Sequence, residues 1–97
     1  MTFDWDEEKN ALLRRTRGVS LEHIVSAIED GDVADVLKHP GPDRYPDQRV
    51  YLVILQDYVF VVPFVRDDES DRVFLKTVYP SRTFTKRYLR QESEDGT

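Results

Sequence analysis

The sequence predicts an α+β protein in which two N-terminal helices precede a three-stranded antiparallel β-meander and a C-terminal basic helix. Three observations indicate this order. Apolar residues recur at helical spacing in the first third of the chain, β-branched and aromatic runs begin at Arg49 and Tyr58, and a helix-start signal stands at Ser81. Since no repeat or linker interrupts the sequence, we expect a single domain over residues 1–97, with about 91–97 as a disordered polar tail.

The two N-terminal helices have separate start signals. The first is predicted to begin at Asp4, which forms a capping-box pattern with Glu7, and to end at Gly18. The second is predicted to begin at Ser20 because apolar residues follow this N-cap candidate at helical spacing, namely Leu21, Ile24, Val25 and Ile28. The apolar positions within residues 33–37 predict one or two further helical turns.

The meander is predicted over residues 49–55, 58–65 and 72–79, with a two-residue turn between the first two strands. Pro63 lacks an N–H group, so its strand should be bulged there or lie at an edge on that side. Apolar residues on both faces of the strands indicate cover by the helices on one face and by a partner on the other. After the third strand, Ser81 should cap the last helix, over residues 82–89.

The charge of the chain is unevenly distributed. The net charge of -5 argues against a nucleic-acid partner, but residues 49–97 contain eight acids and eight bases, whereas residues 1–48 contain eleven acids and six bases. Between Arg72 and Arg90 there is no acid, and the bases are Arg72, Lys76, Arg82, Lys86, Arg87 and Arg90. This block is either a solvated helix face or a binding surface for an anionic partner.

Several classes of protein are excluded by what the sequence lacks. Without cysteine there is neither a disulfide nor a thiolate zinc site, and without a signal segment or a long apolar run we expect a cytoplasmic protein with no membrane partner. The sequence has no glycine-rich phosphate loop, no HExxH motif, no nucleophile elbow and no histidine spacing typical of a metal site. We therefore expect neither a cofactor nor a bound metal.

A set of cations forms the candidate site. Strand alternation predicts that Lys76 shares a face with Phe74, while Tyr79 points to the other face. Lys76 is either an edge lysine that prevents aggregation or a cation that binds phosphate. Arg49, Arg66 and Arg82 could converge at one end of the meander, or each could pair with an acid on the surface, in particular those of the 67–71 turn.

The N-terminal pattern Phe3-x-Trp5-Asp6-x-x-Lys9-Asn10, followed by Gly18-Val19-Ser20, resembles the opening of BrnT-type toxins, small ribonucleases of type II toxin–antitoxin operons. The resemblance implies a fold related to RelE/ParE toxins. Family members usually have histidine where this chain has Arg17, and an S-A-R-K-A-like run where this chain reads Thr77 to Arg82.

The resemblance implies a metal-independent mRNA endoribonuclease that is inhibited by an antitoxin, typically of the ribbon-helix-helix type, in a hetero-oligomeric or homo-oligomeric complex. The residues that would carry catalysis are Lys76, Arg82 and Tyr79. The residues that would bind RNA are Arg49, Arg66, Arg72, Lys86 and Arg87. Two alternatives remain open on the same fold, a non-catalytic interaction protein and a nucleic-acid-binding regulator that uses the block from Arg72 to Arg90.

Overall fold

The structure is a computed structural model that describes residues 1–38 and 48–90, so the expected tail at 91–97 lies outside the described residues. The described residues form six strands and three helices. In chain order these are β1 (Thr2–Trp5), α1 (Glu7–Arg17), α2 (Leu21–Glu29), β2 (Val33–Lys38), β3 (Gln48–Leu55), β4 (Tyr58–Asp67), β5 (Arg72–Leu75), β6 (Tyr79–Pro80) and α3 (Arg82–Leu89). The α+β class is as predicted, but the prediction of a three-stranded meander behind two helices is wrong.

The strands form one mixed sheet in the order β1-β5-β4-β3-β2, with β6 pairing to β4. Strand β1 runs parallel to β5, and the other pairs are antiparallel. Strand β1 is absent from the prediction because the capping-box pattern at Asp4 favours a helix start there. The helix instead begins after Asp6, whose side chain accepts a hydrogen bond from the Glu8 amide at 2.8 Å. The N-terminus therefore adds a strand to the sheet.

Strand β2 replaces the predicted helical turns after α2. Gly31 at φ +85° ends the helical region, and the chain leaves it in the left-handed conformation that glycine adopts without strain. The following strand pairs with β3, with Val36 opposite Tyr51 and Lys38 opposite Arg49. Since a six-residue apolar pattern fits both helix and strand, the open hydrogen-bonding edge of β3 decided the outcome.

The third predicted strand is divided into β5 and β6 because of Pro63, which lies in the central strand β4. Lys76 donates its N–H to the Pro63 carbonyl at 2.8 Å, but Pro63 has no N–H to return a bond, and the ladder ends. Pairing resumes farther along β4, where Tyr79 lies opposite Val61. The alternation predicted for residues 72–79 therefore fails, and Val78 joins the core that contains Leu75.

The two faces of the sheet carry separate cores. Helices α1 and α2 cover one face, with Ile24 and Leu21 fully buried against the strands. Helix α3 covers the other face, where its three apolar side chains, Phe84, Tyr88 and Leu89, pack against a cluster centred on Leu52 and Val59. The prediction that a partner would cover this second face is corrected by α3, whose first turn is fastened to β4.

The helices are short. The longest of the three in the described ranges, α1, has 11 residues, whereas a membrane span needs about 20 predominantly apolar residues. Accordingly, none of the helices within residues 1–38 and 48–90 is long and apolar enough to cross a membrane.

Candidate functional site

The junction between α1 and α2 is built by part of the pattern that resembles BrnT-type toxins, namely Asp6, Gly18 and Ser20. Asp6 caps α1 at its N-terminus, and Gly18 ends it at φ +70°, with its amide donating to the Arg14 carbonyl at 3.3 Å. Ser20 then caps α2 by accepting a hydrogen bond from the His23 amide at 3.2 Å. A non-glycine residue at position 18 would be strained, so this part of the motif serves the turn between the helices.

Asn10 joins the two helices from a fully buried position. Its side-chain oxygen accepts a hydrogen bond from the Leu21 amide at 2.8 Å, and its amide nitrogen donates to Glu22 at 2.7 Å. Arg14 donates to the other oxygen of Glu22. The hydrogen bond from Asn10 is the main reason that the pKa of Glu22 lies below its ordinary value, and Arg14 lowers it further.

A groove of about 500 Å³ lies between α1 and the segment that connects β5 to β6. Leu12, Leu13 and Val78 contribute apolar surface. Its polar lining residues are Lys9, Thr16 and Arg17 from α1 and Thr77 and Tyr79 from the opposite wall. Tyr79 is 46% exposed. The groove therefore brings a phenol and two cations to one concave surface, a combination that can hold a phosphate and transfer a proton.

Only one of the three residues predicted to be catalytic lines this groove. Tyr79 does, whereas Lys76 is half-buried beside it at the end of β5, and Arg82 begins α3. Lys9 is not among the predicted site residues, and Arg17 enters the prediction only as a departure from the family pattern. The spacing of one helical face, which places Lys9, Thr16 and Leu13 side by side, was the signal that could have found this wall.

The predicted RNA-binding residues are divided between the two faces of the sheet. Arg49 of β3 lies opposite Phe64 of β4, whose side chain is in the core under α1 and α2. Arg66 lies two residues after Phe64 on β4, so both arginines are on the face that α1 and α2 cover. Arg72 lies opposite Thr2, on the other face, 3.9 Å from Asp4. The structure therefore brings Arg49 and Arg66 together but separates them from Arg72.

Arg66 and Arg49 differ in their partners. Arg66 pairs with Asp71 at 3.0 Å and with Asp68 at 3.7 Å, as the alternative of surface ion pairs predicts. Arg49 makes no ion pair with any residue that the structure describes, and Lys38 lies directly across from it on β2. Within residues 1–38 and 48–90 neither cation has an ion pair, and the two exposed side chains are neighbours on the sheet.

Tyr51 adds an aromatic surface beside Arg49. Its ring stacks on Phe64 with 4.1 Å between centroids. Partial burial raises the pKa of Tyr51, and the nearby charge of Arg66 lowers it by a smaller amount. The ring is therefore a neutral, rigid surface at neutral pH, of the kind on which a base can stack.

Arg82 does not converge with Arg49 and Arg66. The Ser81 amide donates to the Val59 carbonyl at 2.9 Å, so α3 begins near the start of β4, whereas Arg66 lies near its end. The separation of seven positions from Val59 to Arg66 corresponds to roughly 23 Å of strand. Arg82 stands in the first turn of a helix that has no acid there, although the helix dipole favours anions at this end.

The remaining predicted residues lie in the last turn of α3. Lys86 and Arg87 are exposed, and the guanidinium of Arg87 is 5.7 Å from the centroid of the Phe84 ring. Arg82, Lys86 and Arg90 follow one another at intervals of four residues, so they form one row along the helix. The last four bases of the block, Arg82, Lys86, Arg87 and Arg90, thus lie on α3 or at its C-cap, outside the groove.

The acidic side chains are dispersed. In the described ranges, 1–38 and 48–90, no group of three His, Cys, Asp or Glu residues could hold a metal ion. The acids of the β4–β5 turn are used locally instead. Hydrogen bonds from Ser70 and the Glu69 amide lower the pKa of Asp67, and the N-terminal ammonium, 3.1 Å away, lowers that of Asp71.

Comparison with known proteins gives no relative for this chain. No protein-family model matches the sequence, and neither the curated proteins nor the solved structures gave a significant match. Within the pattern that resembles BrnT-type toxins, Asp6, Asn10, Gly18 and Ser20 cap and join α1 and α2, whereas Lys9 lines the groove.

Proposed function

We propose that the chain is a ribonuclease toxin of a type II toxin–antitoxin pair and that it cleaves RNA in the groove between α1 and β6. One observation carries this proposal. The groove places the exposed phenol of Tyr79 on the same surface as the cations Lys9 and Arg17, with the side chains of Thr16 and Thr77 as further hydrogen-bonding groups.

The groove supplies the groups that phosphodiester cleavage by the RNA itself requires. The 2′-hydroxyl oxygen bonds to the adjacent phosphorus, the bond to the 5′-oxygen breaks, and a 2′,3′-cyclic phosphate forms. Arg17 would stabilise the charge that develops on the phosphate oxygens, while the ammonium of Lys9 donates a hydrogen bond to the Lys76 carbonyl beside the groove. The Tyr79 phenol would donate a proton to the leaving 5′-oxygen while water accepts the proton of the 2′-hydroxyl.

Two sets of cations outside the groove would extend the RNA contact. Lys76 and Arg82 flank in sequence the segment 77–81 that carries Tyr79, and they would bind phosphate groups next to the groove. Arg49 and the stacked ring of Tyr51 would bind a more distant part of the strand. An antitoxin of the ribbon-helix-helix type would inhibit cleavage by covering the groove.

The test is cleavage of a mixed-sequence single-stranded RNA at low salt by the purified protein. Removal of a general acid lowers the rate by about 10²–10⁴-fold, so we expect a loss in this range for Tyr79→Phe and a 2′,3′-cyclic phosphate on the wild-type products. Tyr58→Phe is the matched control because Tyr58 packs against the core under α1 and α2 and is not among the residues that line the groove. Intact RNA with the wild-type protein, together with normal growth on induced expression, would refute the proposal.

A nucleic-acid-binding regulator is the second candidate, and the row of Arg82, Lys86 and Arg90 on α3 favours it. Such a row tracks a phosphate backbone without requiring chemistry. If three phosphates are neutralised on a single strand, the logarithm of the binding constant should fall with the logarithm of salt concentration with a slope of about −2. Binding with this slope in the absence of cleavage would favour the regulator over the ribonuclease.

A further inference from the structure

The carbonyl oxygen of Lys76 accepts its hydrogen bond from an unusual donor. In an antiparallel ladder, the two residues of a hydrogen-bonded pair donate their N–H groups to each other's carbonyl oxygens. Lys76 donates to the Pro63 carbonyl at 2.8 Å, but Pro63 has no N–H with which to complete the exchange. The ammonium of Lys9, 67 residues earlier in the chain, donates to the Lys76 carbonyl at 3.2 Å instead.

We propose that Lys9 is a positioning residue of the groove, whose ammonium replaces the amide donor that Pro63 lacks and thereby holds residues 76–79 against α1. The inference rests on the proposed function only where it assigns RNA cleavage to this groove. The hydrogen bond from Lys9 to the Lys76 carbonyl is a property of the fold, and its effect can be measured without RNA.

The hydrogen bond from Lys9 to Lys76 lies where it can hold the two walls of the groove together. Residues 76–78 lie between β5 and β6 and belong to neither strand. They lead directly to Tyr79, and with it Thr77 and Val78 form one wall of the groove, while Lys9, Leu13 and their neighbours on α1 form the other. A hydrogen bond from Lys9 to Lys76 therefore joins the two walls and fixes the distance between them.

The orientation of Pro63 makes the inference testable by rescue. Its carbonyl points toward β5, so in an antiparallel strand its nitrogen points the same way, and the pair that it forms with Val50 of β3 uses neither group. Replacing Pro63 by valine would add an N–H aimed at the Lys76 carbonyl without disturbing the ladder to β3. Valine also suits a partly buried strand position.

The experiment compares the wild type with Lys9→Met, Pro63→Val and the double variant. Amide hydrogen exchange, followed by NMR at Lys76, whose N–H bonds to the Pro63 carbonyl, and at Tyr79, which pairs with Val61, reports how often the segment opens. We expect about five- to tenfold faster exchange in Lys9→Met, the ratio for losing one partly exposed charge-assisted hydrogen bond. The double variant should return to within about twofold of the wild type, and RNA cleavage should follow the same order.

Arg15→Met is the matched control for the loss of a positive charge. Arg15 lies on α1, is exposed, and is not among the residues that line this groove, so its replacement should leave amide exchange at Lys76 and Tyr79 unchanged. Lys9→Arg retains a donor and should resemble the wild type in both measurements.

Three results would overturn the inference. The first is unchanged exchange in Lys9→Met, and the second is a double variant that is folded by circular dichroism but exchanges as fast as Lys9→Met. The third is restored exchange without restored cleavage, which would make Lys9 a residue that contacts RNA itself. If the wild type does not cleave RNA, the proposed function fails, and the exchange measurements alone decide whether Lys9 holds the segment.

Discussion

Replacing Asn10 by alanine separates a structural role of the shared N-terminal motif from a catalytic one. Asn10 is fully buried and accepts a hydrogen bond from the Leu21 amide at 2.8 Å. In the alanine variant that amide is left without a partner, which costs about 1–3 kcal/mol. The space left by the missing side-chain amide adds about 1 kcal/mol. We therefore expect the free energy of unfolding to fall by about 2–4 kcal/mol.

Urea denaturation followed by far-UV circular dichroism measures this change, and the thermal midpoint should fall by about 10–25 °C for a domain of this size. Arg15→Ala is the control because Arg15 is exposed on the same helix, and its replacement should change stability by less than about 0.5 kcal/mol. A decrease below about 1 kcal/mol for Asn10→Ala, combined with loss of RNA cleavage, would refute the structural role and assign Asn10 to the site.

Three further predictions follow from individual contacts. Thr85→Val should lower the free energy of unfolding by about 1–3 kcal/mol because it leaves the buried Val59 amide, now bonded to the Thr85 hydroxyl at 2.9 Å, without an acceptor. Arg82→Gln should raise stability by about 0.3–1 kcal/mol, since it removes a cation from the N-terminal end of α3, while weakening RNA binding. Glu22→Gln should make the free energy of unfolding fall less as the pH is lowered, because the hydrogen bond from Asn10 lowers the pKa of Glu22 in the folded state.

The sign of the pH effect follows from the direction of the pKa shift. A carboxylate whose pKa is depressed by folding stabilises the protein above its unfolded pKa, and this contribution is lost as pH falls through the folded pKa. Wild type and Glu22→Gln should therefore differ at neutral pH and converge under acidic conditions. Thermal denaturation at a series of pH values measures the difference in unfolding midpoint between the two proteins. A difference that stays constant down to the lowest pH would contradict the prediction.

The Thr85 and Arg82 variants each have a control of matched chemistry. Thr83→Val changes an exposed threonine on the same helix as Thr85 and should leave stability unchanged. Arg90→Gln removes a cation from the opposite end of α3, where the dipole favours positive charge, and should lower stability instead. If both arginine variants shifted the unfolding midpoint in the same direction, the dipole explanation for Arg82 would be wrong.

Local sequence signals were sufficient where each element is defined by its own residues. Ser20 and Ser81 cap α2 and α3 as predicted, with hydrogen bonds to the backbone amides three residues on. The two-residue turn at Gln56 and Asp57 was also predicted, and both residues have positive φ, as a tight hairpin turn requires. These elements depend on contacts over a few residues, so no information from the rest of the chain is needed.

The candidate site was predicted less well because its residues come from distant parts of the chain. The phenol of Tyr79 was identified, but its neighbours in the groove, Lys9 and Arg17, belong to a helix more than 60 residues away in sequence. The convergence expected for Arg82 with Arg49 and Arg66 failed because β6 pairs with the opposite end of β4. Strand register, which determines these distances, depends on pairing that a single sequence does not specify.

The sequence by itself determined the α+β class, the caps of the second and third helices, the central hairpin and the acid-free stretch from Arg72 to Arg90. Only the tertiary structure decided that residues 2–5 and 33–38 are strands, because short segments acquire that conformation from the edges they pair with. The division of the third strand has the same origin. Pro63 has no N–H to donate to the ladder, so the chain leaves the sheet at Lys76. The ammonium of Lys9 donates to the Lys76 carbonyl the hydrogen bond that the proline cannot make.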